Sequence, residues 1–199
     1  MHQLNLTVNA KDHGIPPLED NASVVINIRD INDNAPVIDS DVTRNLTLSE
    51  TVPQGNFVVK INATDADSGS NANLSFSIVE GNIGGAFTVN SSNGVIKTAS
   101  RLDFEKEKFY TLNVTVQDQG TPPLSSSILV TIEVIDVNDM TPVIHHVTPV
   151  YVRENVAVGT LIARVNATDG DSGINAVLNF TIVSGKSCLH FSRCSTGLP

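Results

Sequence analysis

Leu4, Leu6, Val8 and Ala10 alternate with polar positions, and Val24, Ile26 and Ile28 do the same one turn later. The pattern returns in Tyr110, Leu112, Val114 and Val116 and in Val130, Ile132 and Val134. Phe57, Val59, Ile61 and Ala63 match Leu161, Ala163, Val165 and Ala167. A period of two with β-branched enrichment marks half-buried strands, one face toward a core and Thr, Asn and Lys toward water. Strands are expected at Val42–Leu48, Phe57–Ala63, Leu74–Val79, Phe87–Val89, Val95–Lys97, Phe109–Gln117 and Ser127–Ile135, separated by Gly, Pro and Asn turns. That set has the size of an immunoglobulin-like sandwich without the Cys…Trp…Cys pattern of true immunoglobulin domains.

The chain also matches itself at long range. Asp30-Ile31-Asn32-Asp33-Asn34-Ala35-Pro36 returns 106 residues on as Asp136-Val137-Asn138-Asp139-Met140-Thr141-Pro142. Asp12-His13-Gly14-Ile15-Pro16-Pro17-Leu18 returns at the same offset as Asp118-Gln119-Gly120-Thr121-Pro122-Pro123-Leu124. Thr64-Asp65-Ala66-Asp67-Ser68-Gly69 returns 104 residues on as Thr168-Asp169-Gly170-Asp171-Ser172-Gly173, and Ser49-Glu50 as Arg153-Glu154. One complete unit is therefore expected at 37–142. The C-terminal part of an earlier unit precedes it at 1–36, and the N-terminal part of a later one follows at 143–199.

Aromatic residues make up 5% of the chain and Trp is absent, so the core must be built from Val, Ile, Leu and a few Phe. A formal net charge of −9 repels phosphate backbones, which excludes nucleic acid and favours cations. No apolar run approaches the roughly 20 residues of a spanning helix, and the residues after Met1 lack the apolar stretch of a secretory signal. Yet Asn5, Asn21, Asn45, Asn62, Asn73, Asn90, Asn113, Asn166 and Asn179 each begin an N-x-[ST] acceptor motif. The chain reads as a fragment of a longer extracellular protein, anchored in the membrane elsewhere.

With apolar residues assigned to strands, the acids fall where strands meet loops. Glu50 closes the first strand, Asp65 and Asp67 end another, and Asp118 ends a third. Asp103-Phe104-Glu105 lies before Phe109, and Asp136 and Asp139 follow the last strand. Clustered carboxylates repel unless a cation neutralises them. Hard oxygen donors with Asn and carbonyl oxygens suit Ca²⁺ better than the small octahedral Mg²⁺ site. An EF-hand is excluded, because its twelfth loop position would be Phe76 or Phe180 instead of Glu.

In this order, the motifs resemble those of cadherin repeats: a Glu ending the first strand, Asp-x-Asp, Asp-x-Glu, an Asp followed by Gly, and Asp-x-Asn-Asp-Asn. The resemblance runs from about residue 2 to 183. It implies an all-β fold of tandem seven-stranded Greek-key immunoglobulin-like sandwiches, one complete and two partial. It also implies Ca²⁺ at the junctions between repeats, and other cadherin ectodomains as partners, on the extracellular side of the plasma membrane. Carried over residue by residue, the second junction draws on Glu50, Asp103, Glu105, Asp136, Asn138 and Asp139, with Asp169, Asp171 and the Asn175 carbonyl from the next repeat. The first draws on Asp30, Asn32, Asp33, Asn34, Asp65, Asp67, Asp118 and the Asn71 carbonyl.

Met140 departs from the family pattern, standing where the linker motif ends in Asn. The tail departs too. Phe191 aligns with Phe87 and Gly197 with Gly94, but Arg193 replaces the inward Val89, and Cys188 and Cys194 have no counterparts. The resemblance places the chain nearer to protocadherins and Fat- and Dachsous-like cadherins than to catenin-binding ones. Calcium-dependent, homophilic cell–cell adhesion is the expected function, and heterophilic receptor or ligand signalling in tissue polarity the alternative. An enzyme using Glu50, Asp103 and Glu105 as acid and base, or His145-His146 as base, is the poorest fit. No nucleophile or oxyanion donor accompanies those groups, and adjacent strand residues face opposite ways.

Overall fold

The computed structural model describes residues 2–184. A hairpin comes first, β1 (His2–Lys11) and β2 (Glu19–Ile28). Next come β3 (Val37–Ile38), β4 (Asn45–Ser49), β5 (Phe57–Lys60), β6 (Ala63–Thr64) and β7 (Ser75–Glu80). They are followed by β8 (Phe87–Val89), β9 (Val95–Thr98), β10 (Phe109–Gln117) and β11 (Ser125–Ile135). Two short strands close the series, β12 (Val143–Ile144) and β13 (Ala167–Thr168).

Residues 37–135 fold as a sandwich. One sheet has the order β4-β11-β10-β7 and the other β5-β9-β8, with β3 and β6 paired beside them. The period-two residues explain the layering. In β10 and β11, Leu112, Val114, Val116, Val130 and Ile132 are completely buried, and Ile61 and Ile96 meet them from the opposite side. Each such side chain contributes about 1.5–3 kcal/mol by leaving water. Phe87 and Tyr110 pack edge-on between the layers, with ring centroids 5.0 Å apart and planes at 83°. β4 runs parallel to β11, pairing Asn45 with Thr131 through Ser49 with Ile135. This pairing delivers Glu50 to the same end of the sandwich as the chain's exit at Asp136.

Most of the expected strands form, with instructive differences. The run Phe57–Ala63 divides, because a bulge after Phe57 buries Val58 and Val59 together and the Ile61 N–H turns to Gly94 O at 2.9 Å. β5 then stays in the three-stranded sheet while β6 crosses to β3. Val42 is buried, but pairing begins only at Asn45.

Among the described residues, the flanking parts keep their local pairing but add no side chain to the buried core. In the hairpin, Leu4 faces Ile26 and Leu6 faces Val24 across the strands, yet Leu4, Leu6 and Val8 stay about half exposed. β12 pairs with β13 as β3 pairs with β6. The strand expected over Leu161, Ala163 and Val165 does not form. Its counterpart β5 is held by β9, and among the described residues nothing supplies a second β9. The reading of Cys188, Phe191, Arg193, Cys194 and Gly197 falls outside the described residues.

Candidate metal centres at two junctions

Glu50 follows β4 and is buried at 3% exposure. Its Oε1 accepts the Val137 N–H at 2.7 Å and its Oε2 the Phe104 N–H at 2.8 Å. One carboxylate thus ties the end of β4 to the 103–107 turn and to the segment after β11. Around it, carboxylate oxygens of Glu50, Glu105 and Asp139 lie within 4.8 Å of one another, and Glu105, Asp136 and Asp171 form a second such group. Glu105 belongs to both.

Backbone and amide donors hold this arrangement. Asp136 Oδ2 accepts the Ser172 N–H at 3.1 Å, the Ser172 hydroxyl at 3.3 Å and the Asn175 amide at 3.0 Å. The Met140 N–H donates to Asp171 Oδ1 at 3.2 Å, and the Asp171 N–H to Asp169 Oδ1 at 2.9 Å. Segment 136–140 is thereby stitched to loop 169–175.

The first junction repeats the scheme in register. Asp30 Oδ2 accepts the Ser68 N–H and the Asn71 amide, both at 2.9 Å. The Asn34 N–H donates to Asp67 Oδ2 at 3.2 Å, the Asp67 N–H to Asp65 Oδ1 at 2.9 Å, and the Asn34 amide to Asp67 Oδ1 at 2.5 Å and Asp33 Oδ1 at 2.8 Å. Asn32 adds a contact of its own, its amide donating to both Asp118 oxygens at 3.1 and 3.2 Å and to Pro122 O at 2.7 Å. Gly120 makes that approach possible, since a Cβ there would collide with the Asn32 amide. Asp118 in turn accepts the Gly120 N–H at 2.9 Å and the Leu124 N–H at 3.1 Å.

The charges are not fully compensated. Burial pushes the Glu105 carboxyl above its ordinary 4.5, against its own backbone N–H, and the charges of Glu50, Asp139 and Asp136 push it further. Asp171 is raised by burial first, opposed by the Met140 N–H and reinforced by Asp169 and Asp136. Burial also acts on Asp136, but the Ser172 and Asn175 donors outweigh it and hold its carboxyl below the usual 3.8. The same balance lowers Asp118, where the Gly120 and Leu124 N–H groups and the Asn32 amide outweigh burial.

A cation would resolve the deficit. At the second junction Glu105 Oε1, Asp136 Oδ1 and Asp171 Oδ2 are buried without a hydrogen-bond partner; at the first, Asn32 Oδ1 and Asp65 Oδ2 are. Unmatched buried oxygens cost free energy. An all-oxygen, carboxylate-rich set is what Ca²⁺ takes. The residues present fit that ion.

Residues 44–135 match the cadherin domain family. Over 190 residues the chain is 39% identical to mouse Protocadherin Fat 4, covering 94% of this chain and 4% of that protein. It is 40% identical over 183 residues to human Cadherin EGF LAG seven-pass G-type receptor 2, covering 91% and 6%. The crystal structure of mouse Cadherin-23 EC22-24 superposes with a TM-score of 0.72 at 36% identity, covering 88% of this chain and 56% of that one. The chain belongs to the cadherin family. It spans only a small fraction of the length of the curated relatives it matches. The match to the cadherin domain gives no support to the catalytic reading of Glu50, Asp103, Glu105 and His145-His146.

Against the cadherin pattern, three placements stand out. Asp103 does not join the acid groups; it binds Lys106, with Nζ to Oδ2 at 2.5 Å and the backbone N–H to Oδ1 at 3.0 Å, and the Lys106 side chain holds its carboxyl below 3.8. Asn138 is exposed, whereas its counterpart Asn32 reaches Asp118. Met140 supplies a backbone N–H where Asn34 supplies both backbone and side chain. Sequence reasoning missed Ser68 and Ser172, although the shared Asp-x-Asp-Ser-Gly-x-Asn spacing at 65–71 and 169–175 was there to read.

Proposed function

We propose that this chain is an extracellular segment of a membrane-anchored cadherin that mediates calcium-dependent, homophilic cell–cell adhesion. The carrying observation is the set of buried, partnerless oxygens of Glu105, Asp136 and Asp171 at the second junction. Calcium bound there would neutralise carboxylates from two successive repeats at once and so make a rigid rod of flexibly linked domains. The domain boundaries in this reading are 1–36, 37–142 and 143–199.

The chain's own residues divide the work unequally. At the second junction Glu50, Glu105, Asp136 and Asp139, with Asp103 once released from Lys106, supply the upstream donors; Asn138, Asp169, Asp171 and Asn175 complete the set. At the first, the linker gives Asp30, Asn32, Asp33 and Asn34 and the following repeat Asp65, Asp67, Asn71 and Asp118, without counterparts of Glu50, Asp103 and Glu105 in this chain. About two ions are expected at the second junction and at most one, weakly held, at the first, a stoichiometry that titration calorimetry reads directly.

Limited trypsinolysis in millimolar calcium and in EDTA tests the reading. Calcium should protect the tryptic bonds flanking the second junction, at Lys106, Lys108 and Arg153, and chelation should expose them; identical digestion would overturn the proposal. Kinship with a relative named as a seven-pass receptor favours a second reading, heterophilic signalling. Beads coated with the parent ectodomain separate the two: self-aggregation supports homophilic adhesion, and aggregation only in mixtures supports the receptor.

A further inference from the structure

We infer that Asn90 is an N-glycosylation site, its carboxamide set by the fold to carry an oligosaccharide at Nδ2. The inference rests on the extracellular placement proposed above. The transfer is from a polyprenyl-diphosphate-linked oligosaccharide. The bond from sugar C1 to Nδ2 forms as the C1–O bond to the diphosphate breaks, Nδ2 gives up one proton, and the carrier leaves as its diphosphate. The folded product must then accommodate a bulky polar substituent on that nitrogen.

Asn90 meets this demand through its own acceptor motif. It lies in the exposed turn between β8 and β9. Its Oδ1 accepts the Ser92 hydroxyl at 2.8 Å, the Ser92 N–H at 3.0 Å and the Asn93 N–H at 3.2 Å. Three donors, one of them the hydroxyl the motif requires, fix the oxygen side of the carboxamide and leave Nδ2 for the sugar. The turn itself is specified. The Asn90 N–H bonds Val95 O at 2.9 Å, the Gly94 N–H bonds Asn90 O at 3.0 Å, and the Phe76 N–H bonds Ser91 O at 2.9 Å. Gly94 has φ +69°, and a side chain there would strike Ile61 O and the Phe76 ring. Turn geometry with φ > 0 and no room for Cβ admits little but glycine.

Asn113 is the contrast within the same sandwich. It sits mid-strand in β10, between β7 and β11, half-buried, with its Oδ1 buried and unpartnered. A glycan there would have to lie across the sheet face beside Leu129, its partner in β11. Asn90 should therefore be the more fully occupied of the two.

The test expresses the chain through a secretory pathway, removes glycans with an amidase in ¹⁸O water, and reads the isotope label peptide by peptide. Label at Asn90 in most molecules, above that at Asn113 and lost in Ser92→Ala but kept in Ser92→Thr, is the expected result. An unlabelled Asn90 with other acceptors labelled overturns this inference alone. No label at any acceptor overturns it together with the extracellular placement, and calcium-dependent trypsin protection of the same sample reports separately on the metal sites.

Discussion

Glu105 is the residue whose loss should be most revealing, because it belongs to both acidic groups at the second junction. Glu105→Gln preserves shape and hydrogen-bonding reach while removing one charge. Losing a group that orients or completes a metal site weakens binding by roughly 10–100-fold. At a free calcium concentration of about 100 Kd, a bound ion adds about 2.7 kcal/mol to folding; a 100-fold weaker site at the same concentration adds only about 0.4 kcal/mol. The difference of about 2.3 kcal/mol corresponds to a fall of roughly 9–18 °C in the melting temperature of a domain this size. In EDTA the sign reverses. The wild-type carboxylate is then buried among Glu50, Asp136 and Asp139 without compensation, so the neutral amide should melt at the same temperature or higher. Differential scanning calorimetry of both proteins in both buffers reads the crossover. An equal drop in calcium and in EDTA would refute the reasoning, since it would make Glu105 an ordinary packing residue.

Three further outcomes follow from the same contacts. Gly120→Ala should push Asn32 off Asp118 and abolish the weak calcium phase of the first junction, while calorimetry shows the second-junction phase unchanged. Ile132→Ala, at a completely buried position, should cost about 2–5 kcal/mol in urea unfolding, whereas Leu4→Ala on the half-exposed hairpin should stay within about 0.5 kcal/mol. In EDTA, the raised Glu105 and Asp171 carboxyls bind more protons folded than unfolded, so their contribution is present below the ordinary 4.5 and 3.8 and is lost as pH rises through the folded values. The lowered Asp30, Asp118 and Asp136 act oppositely, losing theirs as pH falls below 3.8. Melting temperatures in EDTA should therefore decline as pH rises above about 4.5, and in calcium they should climb over the same range because the ion competes with the proton.

Strands β10 and β11 were legible because every second residue is apolar and every one of those is inside. The break between β5 and β6 was not, since alternation cannot show that Val58 and Val59 are buried side by side across a bulge. Leu161, Ala163 and Val165 show the converse limit: a strand pattern forms a strand only when a neighbour accepts its hydrogen bonds, and pattern alone does not say whether one is present. Among the acids, the repeat picked out Glu50, Glu105, Asp136, Asp139 and Asp171, which the structure does bring together. It did not show that Asn71 and Asn175 spend their side chains holding Asp30 and Asp136. The pairing of Asp103 with Lys106 is a local competition among neighbours that any one motif leaves open.

The two junctions share a construction that explains how so many like charges can be assembled before any cation arrives. Each pairs an aspartate after a strand, Asp30 or Asp136, with N–H and amide donors from the next unit's loop, and each returns the favour through a linker N–H to Asp67 or Asp171. Such charge-assisted bonds are stronger than neutral ones, and they run in both directions, so neither segment can move without breaking bonds made by the other. Only one oxygen of Asp136 and one of Asp171 is used in this way; the second oxygen of each is buried and bare. The stitching therefore sets the spacing of the repeats with half of these carboxylate atoms and presents the other half as a preformed donor set. Metal affinity and linker geometry are then properties of the same side chains. Asp136→Asn would test this directly, because it keeps the amide-compatible shape while disturbing both at once: calcium binding and the trypsin resistance of the bonds flanking the second junction, at Lys108 and Arg153, should fall together, and a variant that lost one while keeping the other would show that the two roles are separable.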